Sequence, residues 1–215
     1  MNRKEIAFAL YSIINSFPFN NKVKGNLQIE NKGSILINCK VIGYGKENRI
    51  VFQTGGVFRN CEFIIHGNNN VIIFENDCRA NYGSFYIEDD NNLISTGKET
   101  NYAGSIHIAC TEGTSITVGD HCLFSSDIVI RSGDSHSILN MQGERINHAE
   151  NVMIEDHVWV GYGVKINKGA TIHNDSVVGT GSIVTRTSPL KSNAIIAGVP
   201  AKVVRRNITW DSTRI

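Results

Sequence analysis

Apolar side chains fall into three successive patterns along this chain. Residues 1–17 place Ile6, Leu10, Ile13, Ile14 and Phe17 at helical spacing, and Phe17-Pro18 closes the run. That pattern predicts a short amphipathic helix, an N-terminal cap over residues 1–20. From about residue 25 onward, short apolar stretches alternate with Gly and Asn corners, at residues 34–37, 49–52, 71–74, 93–95 and 116–118. The later ones recur after about twenty residues, a solenoid signature, although the first half taken alone supports only a repetitive all-β chain.

The third pattern is strict. Ile154, Val160, Ile166, Ile172, Val178 and Val184 stand six residues apart without a slip. Four residues after most of them comes a small or branched residue: Val158, Val164, Ala170, Ser176, Ser182. The same phase holds earlier at Val118, Phe124 and Ile130, with Cys122 and Ile128 at the companion position. An α-helix cannot keep a six-residue period on one face, and a hairpin array would alternate with period two. A triangular coil satisfies the pattern. Each hexapeptide makes one flat side and a corner, its aliphatic residue points inward, and three hexapeptides close a turn. The fold expected is all-β, a left-handed parallel β-helix over residues 21–205 with a C-terminal tail at 206–215. Its handedness is an exception to the right-handed crossover rule.

Composition narrows the class. A length of 215 residues suits one domain, and a net charge of +1 supplies no field for nucleic acid, so no nucleic-acid partner is expected. The five cysteines, Cys39, Cys61, Cys78, Cys110 and Cys122, form no Cys-x-x-Cys pair. They read as reduced small hydrophobes in a cytoplasmic protein, with neither zinc knuckle nor disulfide framework. Asn2-Arg3-Lys4 ahead of an apolar run loosely mimics a signal peptide, but Glu5, Ser12 and Asn15 dilute it and no cleavage site follows. No stretch is long enough for a transmembrane segment.

The ladder breaks once, from about Gly133 to Asn151. The extruded segment, residues 133–151, is polar and carries His136 and His148. Excursions from a regular coil are where function concentrates. Asp134-Ser135-His136, Gly143-Glu144-Arg145-Ile146-Asn147, Val158-Trp159-Val160-Gly161 and Ala197-Gly198-Val199-Pro200-Ala201-Lys202 are the motifs with chemistry. Together they resemble the hexapeptide acyltransferase superfamily. The ordered set is most similar to the branch that O-acetylates bacterial capsule and surface polysaccharides, including polysialic acid O-acetyltransferases. The galactoside and maltose acetyltransferases are more distant. The likeness is dense from about Ile106 onward, roughly half the chain.

The resemblance implies an O-acetyltransferase that moves acetyl from acetyl-CoA to a sugar hydroxyl, without a metal. It puts the general base at His136, whose residue type suits proton transfer near neutral pH. Asp134, or alternatively Glu144, would orient that imidazole. Trp159 reads as a wall of the site and a donor to the oxyanion, or as packing at a subunit seam. Tyr162, Gly179, Thr180, Gly181, Ala197 and Gly198 would line the pantetheine arm, Tyr162 being bulkier than relatives usually carry there. Thr185, Arg186, Lys202 and Arg205 would face the coenzyme phosphates. Glu144, Arg145 and His148 would meet the carbohydrate acceptor. A homotrimer with active sites between subunits is implied by the same resemblance.

Three other readings use the same scaffold. One is an N-acetyltransferase acting on an amino sugar or other small amine. The second is a γ-carbonic-anhydrase-like metalloenzyme, although His107, His121, His136 and His157 lack the close pairing that zinc ligation there needs. The third is a non-catalytic scaffold.

Overall fold

The computed structural model describes residues 21–188 and 191–213; the helix expected over residues 1–20 lies outside them. The described chain winds as a parallel β-solenoid with three sheets, each turn giving a short strand to each. Eight strands, from Lys22–Gly25 to Ile183–Val184, make the first sheet. Seven, from Gln28–Asn31 to Thr171–Ile172, make the second. The third has nine, from Ile35–Ile37 to Ala194–Gly198, ended by Ala201–Arg206 turning back antiparallel. This is the β-helix that the six-residue period predicts.

The coil has two widths. After a first turn of 18 residues from Lys22 to Lys40, Lys40 pairs with Glu62 and Glu62 with Ser84, so the following turns take about 22 residues. Lys165 pairs with Ile183, so a turn after the loop takes 18. Most strands of the wide coils run three to five residues, whereas most of those in the later coils have two. Core composition follows width. Phe52, Phe58, Phe63, Phe74, Phe85, Tyr102 and Phe124 fill the wide coils, fully buried, with neighbouring ring centroids 4.7 to 6.0 Å apart. The narrow coils hold only Ile, Val, Ala and Ser inside, the residues of the six-residue ladder. A triangle four residues smaller in circumference has no room for a phenyl ring at native packing density.

Corners of the wide coils carry a buried polar stack. Asn48, Asn70, Asn92 and Thr114 lie one above another. The Asn70 amide donates to Asn48 Oδ1 at 3.0 Å, the Asn92 amide to Asn70 Oδ1 at 2.8 Å, and the Thr114 amide to Asn92 Oδ1 at 3.1 Å. Each side chain thus satisfies a backbone N–H that the corner removes from the sheet ladder. The five cysteines are free, buried and inward-facing. Burial pushes the Cys78 and Cys122 thiols up to about 12. No helix among the described residues is long and apolar enough to cross a membrane.

Candidate active site

The break in the ladder leaves the solenoid between Ile128–Arg131 of the first sheet and Val152–Ile154 of the second. Ser115 bonds to Asn151 across 36 residues of sequence where one narrow turn takes 18, so the excess is the extruded segment. Its outer part is a small hairpin. Ile146 N–H donates to the Ile138 carbonyl at 2.9 Å, and Leu139 bridges Arg145. Asn140 closes the turn by accepting from the Gln142 and Glu144 amides, while its own amide donates to Glu144 Oε2 at 2.9 Å. Gly143 sits at φ +82°, a left-handed position that only glycine enters freely.

The foot of the hairpin is wired by charge and by one asparagine. Asn147 is 8% exposed. Its Nδ2 donates to the His136 carbonyl at 2.8 Å and to Asp134 Oδ2 at 3.0 Å; its Oδ1 accepts from the Ile138 amide at 2.7 Å. Lys168 Nζ donates to Asp134 Oδ2 at 2.5 Å and to the Asn147 carbonyl at 2.9 Å. Glu112 accepts from the Arg145 guanidinium and, at 3.1 Å, from the Ala149 amide. The Lys168 hydrogen bond, then that of Asn147, holds the Asp134 carboxyl below the usual carboxylate range; Arg145 does the same for Glu112.

His136 is exposed at the base of this hairpin, fixed through its backbone. Asp134 is hydrogen-bonded to Lys168 and Asn147, and among the described residues it makes no hydrogen bond to the His136 ring. Glu144 is spent on the turn. Arg145 is half-buried against Glu112, where it anchors the loop. His148 is exposed on the same segment.

Trp159 stands elsewhere, on the outer face of the third sheet, 40% exposed and paired in register with Leu123 and Val177. One chain therefore does not bring His136 and Trp159 together. The C-terminal tail returns beside it. Trp210 stacks on His157 with centroids 4.3 Å apart and donates its indole N–H to the His157 carbonyl at 2.8 Å. Its ring lies 6.0 Å from that of Trp159.

The coenzyme candidates mostly share one corner. Tyr162, Thr180 and Gly198 follow strands of the third sheet on three successive narrow coils, with Gly179 and Gly181 beside them. A Cβ on Gly179 would come within 3.2 Å of Ala197, so the two coils touch closely there. Asp127 beside the Tyr162 hydroxyl raises its pKa. Lys202 lies opposite Ala197, and Arg205 opposite Ile195, on the return strand. Thr185 and Arg186 belong to a different corner, between the first and second sheets, where Arg186 pairs with Glu150 at 3.0 Å. Among the described residues, no three His, Cys, Asp or Glu side chains converge as a metal site.

Sequence reasoning gave no role to Asn147, Lys168, Glu112 or Trp210. The isolated Trp210 in a polar tail was the one local signal.

The fold and the extruded segment can now be set beside known proteins. The chain is similar in sequence to proteins named as sugar O-acetyltransferases, although no family model matches it. It is 33% identical over 118 residues to the polysialic acid O-acetyltransferase of Escherichia coli O1:K1 / APEC, covering 54% of this chain and 38% of that protein. It is 33% identical over 107 residues to the galactoside O-acetyltransferase of Escherichia coli strain K12, covering 49% of this chain and 51% of that one. The chain thus spans about half or less of the length of these curated relatives. The crystal structure of the polySia-specific acetyltransferase NeuO superposes with a TM-score of 0.83 at 28% identity, over 90% of both chains.

Proposed function

We propose that this protein transfers acetyl from acetyl-CoA to a hydroxyl of a bacterial surface polysaccharide or its precursor. The observation that carries the reading is the single break in the solenoid, a rigidly footed hairpin that presents His136 to solvent. Names of the relatives support the acceptor class: polysialic acid, galactoside and, in one further case, lipopolysaccharide biosynthesis.

In this mechanism the His136 imidazole takes the proton of the sugar hydroxyl as its oxygen attacks the acetyl carbonyl. The tetrahedral oxyanion accepts a hydrogen bond from the indole N–H of Trp159. Collapse breaks the carbon–sulfur bond, and the departing coenzyme thiolate takes the proton from the imidazolium. Pantetheine lies along the Tyr162–Thr180–Gly198 corner, with Lys202 and Arg205 toward the phosphates. Because His136 and Trp159 lie on different sides of one chain, each complete site needs two chains, and a homotrimer supplies three. Apolar side chains on the hairpin support that assembly: Ile138, Leu139, Met141 and Ile146 are 56 to 97% exposed in a single chain. A cytoplasmic location, where acetyl-CoA is made, completes the proposal.

Purified protein is incubated with acetyl-CoA and either a polysialic acid oligomer or a galactoside, and released thiol is followed. Acceptor-dependent release with an alkali-labile ester product is expected, and His136→Ala should lower kcat by roughly 100- to 10,000-fold. Turnover with amine acceptors alone would favour N-acetylation, and unchanged turnover in the variant would refute the role of His136.

A further inference from the structure

Below the loop, the outer face of the first sheet carries a notch. Strand Ile106–Cys110 turns Ile106, Ile108 and Cys110 into the core, leaving His107 and Ala109 outward. Register places Ala109 between Tyr86 on the preceding rung and Arg131 on the next. Rungs lie about 4.8 Å apart, so the strands that carry the phenol and the guanidinium stand roughly 10 Å apart, with only a methyl group between them. The cavity there has a volume of about 160 Å³. Glu88, His107 and Thr111 line its sides, and it extends to Ser135, the neighbour of His136.

The walls differ in chemistry. Tyr86 ends an aromatic row: Tyr44 stacks on His66 at 4.9 Å, and His66 lies 5.7 Å from Tyr86. Toward the loop the row stops at Ala109, so the phenol has no ring on that side. Arg131 Nη2 donates to Ser135 Oγ at 2.7 Å, which ties the upper wall to the catalytic hairpin. His107 Nδ1 lies 3.2 Å from Ser84 Oγ. Burial and then Arg131 lower its pKa. A donor fork at Arg131, an acceptor at Glu88 and a hydroxyl at Thr111 surround one flat apolar face.

We propose that this notch is an acceptor subsite that binds one pyranose ring of the polysaccharide, next to the ring whose hydroxyl reacts at His136. A pyranose has an apolar C–H face for Tyr86 and a rim of hydroxyls that both donate and accept. The slot matches a ring lying between Tyr86 and Arg131. The proposal rests on the acetyltransferase reading and adds where the acceptor lies.

Ala109→Leu fills the notch from its floor without touching the hairpin, and Tyr86→Ser removes the stacking face. Each variant should raise the KM for a polysialic acid oligomer by about tenfold or more. The KM for acetyl-CoA and the melting temperature should not change. If both variants fold and keep the acceptor KM within about twofold of an active parent, the subsite is wrong while the acetyltransferase reading stands. If the parent transfers acetyl to no acceptor, that reading fails separately, and saturation-transfer NMR with the same oligomer decides the notch. Contact in the parent that Ala109→Leu abolishes upholds it; no contact, or contact unchanged by the substitution, overturns it. Should Ala109→Leu fail to fold, Tyr86→Ser carries the same comparison.

Discussion

Replacing Asn147 by alanine tests whether the hairpin's footing sets the position of His136. The side chain makes four hydrogen bonds: to the His136 carbonyl at 2.8 Å, to Asp134 Oδ2 at 3.0 Å, from the Ile138 amide at 2.7 Å and from Arg145 Nε at 3.3 Å. The two backbone bonds, both part-buried, contribute about 1 kcal/mol each. The Asp134 side chain is 44% exposed, so solvent screening leaves that bond about 0.5 kcal/mol, and the long Arg145 bond a similar amount. The loss totals about 3 kcal/mol, close to a hundredfold in the loop's opening equilibrium. None of these atoms belongs to the solenoid core, so the melting temperature should barely move. The Ile138 amide should exchange up to roughly a hundredfold faster, with kcat falling about 10- to 100-fold. The KM for acetyl-CoA should hold, since the proposed coenzyme corner lies on another edge of the coil. Asn147→Asp sharpens the test. It keeps an acceptor for Ile138 but loses the donor to His136 and sets a second carboxylate against Asp134. Its activity relative to the parent should partly recover as pH falls and the pair takes up a proton. A kcat within threefold of the parent, despite faster exchange, would show that His136 is not placed through Asn147.

Two further outcomes follow from the wiring. Asp134 is lowered in the folded chain by Lys168 and Asn147. Its contribution is therefore complete above the unfolded pKa, near about 3.9, and is lost as pH falls through the lower folded value. Hydrogen exchange across residues 134–147 should stay constant from neutral pH to about pH 4 once corrected for intrinsic rates, then accelerate, and Asp134→Asn should remove that acid step. Asn70→Ala deletes the acceptor for the Asn92 amide and the donor to the His66 and Asp89 carbonyls, at 3.1 and 2.8 Å. It should cost about 3 kcal/mol, read as a lower urea midpoint with an unchanged slope.

The narrow coils were readable because each hexapeptide admits one small aliphatic residue inside, so composition and spacing both repeat. The wide coils hide the same geometry. In Glu62–Ile65 and Gly83–Ile87 inward residues come in pairs two apart, Phe63 with Ile65 and Phe85 with Ile87, so the six-residue interval survives only between the second and third sheets, as from Phe52 to Phe58 and from Phe74 to Ala80. Their period shows instead in Asn48, Asn70 and Asn92, and in Cys39 and Cys61, each 22 residues on from the last. The extruded segment was legible as a break, and His136 on it as the proposed base. Its wiring was not, because Lys168 meets Asp134 across 34 residues and Arg145 meets Glu112 across 33. The expectation that Asp134 would face the His136 ring used sequence proximity, whereas a lysine one coil later attracts the carboxylate more strongly. The separation of His136 from Trp159 follows from where each sits, His136 on the segment between the first and second sheets and Trp159 on the third, which local motifs do not encode.

The change of coil width bears on how the site is divided. Tyr162, Thr180 and Gly198, the proposed coenzyme corner, lie wholly on 18-residue coils, whereas Tyr86, Ala109 and Arg131 lie on the rungs of the wide ones. The hairpin leaves the chain where the two widths meet. It is clamped from the wide side by Glu112 and from the narrow side by Lys168. A wide coil can spare a five-residue strand such as Ile106–Cys110, whose second outward position becomes the notch beside the loop. The narrow coils offer mostly two-residue strands and a corner where Gly179 and Ala197 nearly touch, a surface suited to an extended arm rather than a ring. On this argument the acceptor and donor surfaces differ because the solenoid changes girth between them. The ion pairs at the hairpin's foot, one to each girth, would then hold His136 in register with both.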